Sequence, residues 1–176
     1  MKVLPRTQFG NPILRAKAKK VPLTSLKTAA FKGLVKQMLY TMRRVGGVGL
    51  AAPQIGKSIR LAVMEIRPTK TRPGLERSEA VVAINPRILW KSKAATSDWE
   101  GCLSLGGVRG KVPRAKKITV EYYDECGERV TAVAQGLWAA IFQHEIDHLE
   151  GVAFTDRMSD RTSLVALSEF KKRVLK

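Results

Sequence analysis

Both histidines of this 176-residue chain fall in one five-residue run, His144-Glu145-Ile146-Asp147-His148. The spacing constrains the fold because a helix puts residues four apart on the same face and one turn apart, where two imidazoles can reach one metal ion. Glu145, next to the first of them, is then placed to handle a proton. The pattern around it agrees with a helix over Gly136–Leu149, closed by Gly151. Its stripe of Leu137, Ala140, Ile141, His144 and His148 is apolar at one end and ligating at the other. A metal-dependent hydrolase is the first expectation, and its kind turns on the third ligand.

A catalytic zinc or iron site of this type uses three protein ligands and keeps a position for water. The longer pattern HExxHxxGxxH fails at its last position, which is Phe154. Glu169 is a downstream alternative, within a stretch that reads as a short terminal helix with Leu164, Leu167, Phe170 and Val174 inward. The stronger candidate is upstream, in Trp99-Glu100-Gly101-Cys102-Leu103-Ser104, because a thiolate with two imidazoles is a recognised catalytic set for zinc or ferrous iron. Cys126 lies in a polar hairpin turn, Asp124–Glu128, and reads as a free thiol. A third segment, Gly46 to Gln54, offers small residues that let backbone approach a ligand and, at Gln54, an uncharged amide donor. It lacks a phosphate-loop ending and fails the dinucleotide spacing.

These segments together resemble the peptide deformylases. The resemblance rests on Gly47-Val48-Gly49-Leu50-Ala51-Ala52-Pro53-Gln54, on Glu100-Gly101-Cys102-Leu103-Ser104, and on Gln143-His144-Glu145-Ile146-Asp147-His148-Leu149-Glu150-Gly151. It runs from Gly10-Asn11-Pro12 to Met158. It implies that Cys102, His144 and His148 bind the metal, that Glu145 is the catalytic acid–base residue, and that Gln54 and the Leu103 amide polarise the substrate. It also implies one divalent ion per chain, ferrous iron in the cell, with zinc, nickel or cobalt after purification. The substrate implied is the N-formylmethionine end of a newly made polypeptide, with release of formate. Val48 and Gly49 are expected to pair with the substrate backbone, Val48, Leu137, Ala140 and Ile141 to wall the first side-chain pocket, and Arg109 to hold the peptide backbone or carboxylate. Two departures stand out: Leu105 is followed by Gly106 and Gly107 in place of proline, and Gln37 and Tyr40 replace an Asp and a Glu common in the family. Neither touches a proposed ligand or proton carrier.

Charge adds a second theme. The formal net charge is +17, and the first 60 residues hold 13 Lys or Arg and no acid; the first is Glu65. Such a field favours polyanions, and for an enzyme acting on nascent chains ribosomal RNA is the expected partner. Aromatic content of 6% and the lack of a zinc-finger or KH-like pattern weigh against a dedicated nucleic-acid binder. No apolar run approaches the roughly 20 residues of a membrane span. The resemblance begins so near the first residue that no transit peptide is expected, and the chain reads as a cytoplasmic monomer.

The expected fold is a single α+β domain over 1–176, basic N-terminal region included, with antiparallel sheets around a central HExxH helix and with N-terminal and short C-terminal helices. The first helix is expected over Ser25–Val45, and strands over Ile59–Ile66, Val81–Ile84, Ile88–Lys91, Lys117–Asp124 and Arg129–Ala134. Pro68–Glu79 reads as a loop.

Overall fold

The computed structural model describes residues 1–69 and 73–174. Three residues of the expected Pro68–Glu79 loop, 70–72, therefore lie outside the described residues. Helix α1 spans Ala29–Arg44, and Thr28 caps it by accepting from the Phe31 N–H at 3.2 Å. Phe31, Val35, Met38 and Met42 form its buried face, at the spacing of a helix with one side on the core. Gly46, at φ 76, stops it. The helix begins later than the sequence pattern implied. Leu23–Ser25 is a separate 3-10 turn, and the Ser25 carbonyl accepts both the Thr28 N–H and hydroxyl, which fixes Thr28 as the cap.

Strands β1 (Gly49–Ala51), β2 (Leu61–Met64), β3 (Val81–Lys91), β6 (Lys117–Tyr123) and β7 (Arg129–Gln135) form an antiparallel sheet in the order β1-β2-β3-β6-β7. The segments expected as separate strands at Val81–Ile84 and Ile88–Lys91 are one strand crossing a register shift. Asn85 sits at the shift with φ 53. Its side chain accepts from the Val21 N–H at 2.8 Å and donates to the Val21 carbonyl at 2.9 Å, which secures a conformation that asparagine tolerates.

Strands β4 (Ala95–Cys102) and β5 (Leu105–Ala115) make a long hairpin, with the two-residue β8 (Val165–Ala166) against β5. Neither arm shows the apolar alternation that marks a half-buried strand. The hairpin's polar face looks outward, and Pro113 lies where β8, reaching only Val108 and Arg109, leaves β5 an edge.

Helix α2, Gly136–Leu149, matches its expected bounds and lies against β1, β2, β5 and β7. Its C-terminal end turns on Gly151, at φ 75. One core cluster joins α1 to Leu50, Leu61, Val63 and Ile84; a second joins α2 residues Ala139, Ile141, Phe142 and Ile146 to Met64, Ile118 and Val120. The result is an α+β fold with α2 central. Helix α3, Leu167–Arg173, completes it, but of its expected apolar face only Phe170 is buried, against Trp99 at 5.1 Å, while Leu164 and Val174 are exposed. Deleting a fully buried side chain in a close-packed core leaves a cavity, so Met38→Ala is expected to lower unfolding stability by about 2–5 kcal/mol. Leu164→Ala should change it by less than about 0.5 kcal/mol; urea denaturation of both variants checks the contrast.

Candidate metal centre and substrate cleft

Cys102 stands at the tip of the β4–β5 hairpin, paired with Leu105 across the turn formed by Leu103 and Ser104. It is 8% exposed, whereas Cys126 is exposed in the β6–β7 turn, and both are free. The Cys102 sulfur accepts from the Gln54 side-chain amide and the Ser104 N–H, each at 3.3 Å, and lies 3.1 Å from His148 Nε2. Helix α2 brings His144 and His148 to the same point, and one ligand atom from each of the three residues lies within 4.8 Å of the others. Bonds of about 2.3 Å to sulfur and 2.0–2.1 Å to nitrogen set tetrahedral ligand atoms roughly 3.5 Å apart, so this donor set fits a single divalent ion.

An ion-pair chain holds these donors. His144 Nδ1 lies 2.8 Å from Glu100 Oε2, leaving Nε2 as the donor toward the site. Arg114 grips both Glu100 oxygens, at 2.7 and 3.0 Å, and reaches Asp147 at 2.5 Å; Arg157 takes the other Asp147 oxygen at 2.8 Å. Burial alone would push the Glu100 carboxyl up, but hydrogen bonds from His144 and Arg114 outweigh it and hold it at about 2. Burial likewise works against the Cys102 thiolate, yet the two imidazoles beside it win and drive its pKa well below the usual thiol value. A thiolate is the form that ligates metal.

Glu145 is buried, and its Oε2 has no hydrogen-bond partner among the described residues. Burial raises its pKa, opposed by the flanking histidines. Its carboxylate packs directly over Gly49, where a Cβ would overlap it. That contact, rather than any turn, requires the glycine in β1. Gln54 is 1% exposed and fixed by accepting from the Ala51 N–H at 2.8 Å. Arg109 on β5 lies across Gly101, whose missing Cβ makes room for the guanidinium.

A cleft of about 150 Å³ opens over this centre, an order of magnitude more than a single water needs. Val48 and Gly49 line one side and Leu137, Ala140 and Ile141 another; Gln54, Leu103 and Arg109 also face it, with His144 and Glu145. The residues singled out from the sequence are thus gathered around one cavity, with Cys102 and His148 behind it. Glu169 is elsewhere: it is half-buried on α3 and pairs with Lys172 at 2.8 Å and Arg173 at 3.4 Å. What sequence reasoning missed is the Glu100–Arg114–Asp147 chain. The available signal was that Glu100 lies two residues before Cys102, on the same face of a strand, but the strand itself was not recognised.

A family model described as polypeptide deformylase matches residues 3–163. The chain belongs to the polypeptide deformylase family. It is a metal-dependent hydrolase that removes the formyl group from N-formylmethionine. Among relatives, peptide deformylase 2 of Nostoc sp. is 38% identical over 174 residues, 99% of this chain and 96% of that one. A peptide deformylase of Roseiflexus castenholzii is 48% identical over 147 residues, 80% of each chain. Among solved structures, a class I type b peptide deformylase from Acinetobacter baumannii with Met-Ala-Ser bound superposes with a TM-score of 0.86 at 39% identity, covering 89% of this chain and 99% of that one.

The depressed Glu100 pKa makes its pairing a pH-dependent source of stability. A carboxylate held below its ordinary 4.5 stabilises the fold fully above that pH and loses the effect as pH falls toward about 2. Glu100→Gln is therefore expected to be less stable than the parent by roughly 3 kcal/mol at pH 7, with the gap closing below pH 4.5. Urea unfolding across pH 3–7, a range set by roughly these pKa values, would show it.

Proposed function

We propose that Cys102, His144 and His148 hold one ferrous ion in the cell, and that Glu145, Gln54 and Leu103 carry out deformylation around it. The observation carrying this reading is the convergence of those three donors beneath a buried carboxylate with one unpartnered oxygen. The mixed sulfur and nitrogen set also accepts zinc, nickel or cobalt. A divalent ion in such a site supplies Lewis acidity, lowering the pKa of water in its open position and polarising a carbonyl oxygen.

The residues of the chain do the rest. Glu145 Oε2 accepts the proton of the attacking water and later gives it to the departing amine nitrogen, freeing the methionine N-terminus and formate. Charge developing on the formyl oxygen is met by the second N–H of the Gln54 amide and by the Leu103 backbone N–H beside Cys102. Gln54 is suited to this because its oxygen is engaged with Ala51 and its nitrogen is already turned toward Cys102.

Substrate backbone pairs along Val48-Gly49. Strand β1 is an edge of its sheet, so its outer groups are open to an added strand. The methionine side chain, unbranched and flexible, enters between Val48 and the α2 residues Leu137, Ala140 and Ile141. Arg109 holds the backbone or carboxylate further along. The Met-Ala-Ser bound to the Acinetobacter baumannii protein is a ligand of that kind.

The partner class beyond the substrate follows from charge. With +17 overall, and Lys2, Lys19, Lys20, Lys27, Lys32 and Lys57 exposed, the basic N-terminal third would draw a single-domain, monomeric enzyme toward ribosomal RNA in the cytoplasm. Among the described residues no helix is long and apolar enough to cross a membrane.

Cys102→Ala should lose stoichiometric metal and deformylation together, while Cys126→Ala keeps both; metal analysis with turnover of formyl-Met-Ala decides. Full metal and activity in C102A would refute the ligand set. Glu145→Gln should keep the metal and slow formate release by roughly 100-fold to 10,000-fold in single turnover. Gln54→Leu should also keep metal while losing about 3 kcal/mol of transition-state stabilisation.

A further inference from the structure

A second cavity lies beyond the first. It measures about 720 Å³, against about 150 Å³ for the cleft over the metal centre, and the two share Trp99, Glu100, Leu137 and Ala140. Thr96, Asp98 and Glu100 alternate along one face of β4, opposite Arg114, Val112 and Gly110 on β5. The first turn of α2, from Gly136 to Ala140, supplies the facing side. The cavity is thus a slot between the hairpin and the start of the metal-binding helix. Its near end is bordered by Leu137 and Ala140, which also line the cleft where the first substrate side chain would point. Ala140 borders both spaces and carries no atom beyond Cβ, so at that position no long side chain divides them.

We propose that the slot is an extension of the first side-chain pocket, which admits N-formyl peptides whose first side chain is unbranched and longer than methionine. This rests on the reading of the cleft given above. The lining is mixed: Leu75, Val112, Leu137 and Ala140 offer apolar contact, while Asp98, Lys116 and Arg114, the last paired with Glu100, and the uncharged Thr96 and Gln135 also border the slot. A chain that stays buried as it lengthens gains transfer free energy with each methylene, worth up to about fourfold in kcat/KM. A pocket closed behind methionine would instead reject the added atoms, because overpacking is destabilising.

The test compares formyl-Met-Ala, formyl-norleucyl-Ala and formyl-2-aminooctanoyl-Ala on the metal-loaded enzyme. The expected result is kcat/KM for the aminooctanoyl peptide equal to or above that for the norleucyl peptide. Thr96 and Gln135 are exposed and line only the second cavity. Thr96→Trp and, independently, Gln135→Trp should therefore lower turnover of the aminooctanoyl peptide about tenfold while leaving the norleucyl peptide unchanged. Rejection of the aminooctanoyl peptide by the parent enzyme, with formyl-Met-Ala still processed, would overturn the extension alone. Unchanged long-chain turnover in both correctly folded tryptophan variants would do the same. No turnover of formyl-Met-Ala by the metal-loaded parent would overturn the reading of the cleft, and the extension with it.

Discussion

Arg114 joins the two halves of this molecule. Its guanidinium, on β5, binds Glu100 on β4 through two nitrogens and Asp147 on α2 through the third. The hairpin carrying the sulfur is thereby tied to the helix carrying the imidazoles. Arg114, Glu100 and Asp147 are all shielded from water. Breaking one partner of such a group leaves the others buried and uncompensated, a loss far greater than for a surface pair. The planar fork of arginine suits the task, since it meets a carboxylate with two parallel bonds and still has a donor to spare; lysine would meet only one.

The chain of contacts continues into the site. Glu100, fixed by Arg114, fixes His144 through Nδ1, and so decides which ring nitrogen faces the metal. Gln54 and Ser104 settle the sulfur from the other side. The His144 ring and the Cys102 sulfur are therefore each oriented by a neighbour from a different element. Hydrogen bonding and charge then act together, against burial, to keep the carboxylate and the thiolate ionised in a place that would otherwise neutralise them.

Much of this could be read along the chain where local rules act. The HExxH spacing located α2 to the residue, because a four-residue repeat, an apolar stripe and a closing glycine all agree there. The lining of the cleft followed from the same helix and from the glycines near Gln54. The β4–β5 hairpin was invisible for the opposite reason: a strand exposed on one face, rich in charge and glycine, has no apolar period to betray it. Its partner contacts are long-range, as with Arg114 and Asp147, 33 residues apart. The bulge at Asn85 hid the continuity of β3, since it is stabilised by Val21 from 64 residues away. The start of α1 was misplaced because Thr28 competed successfully with Ser25 for the cap.

The division of the three ligands between elements has a mechanical consequence. His144 and His148 ride on a single stretch of helix, so their separation is set by the helix itself and hardly changes when the surroundings shift. Cys102 rides on the hairpin, and its distance to either imidazole is the gap between two packed layers. Any loosening of that packing would be taken up almost wholly in the distance from the sulfur to the two imidazoles, while the separation of the imidazoles is kept. The sulfur is in this sense the strain gauge of the fold.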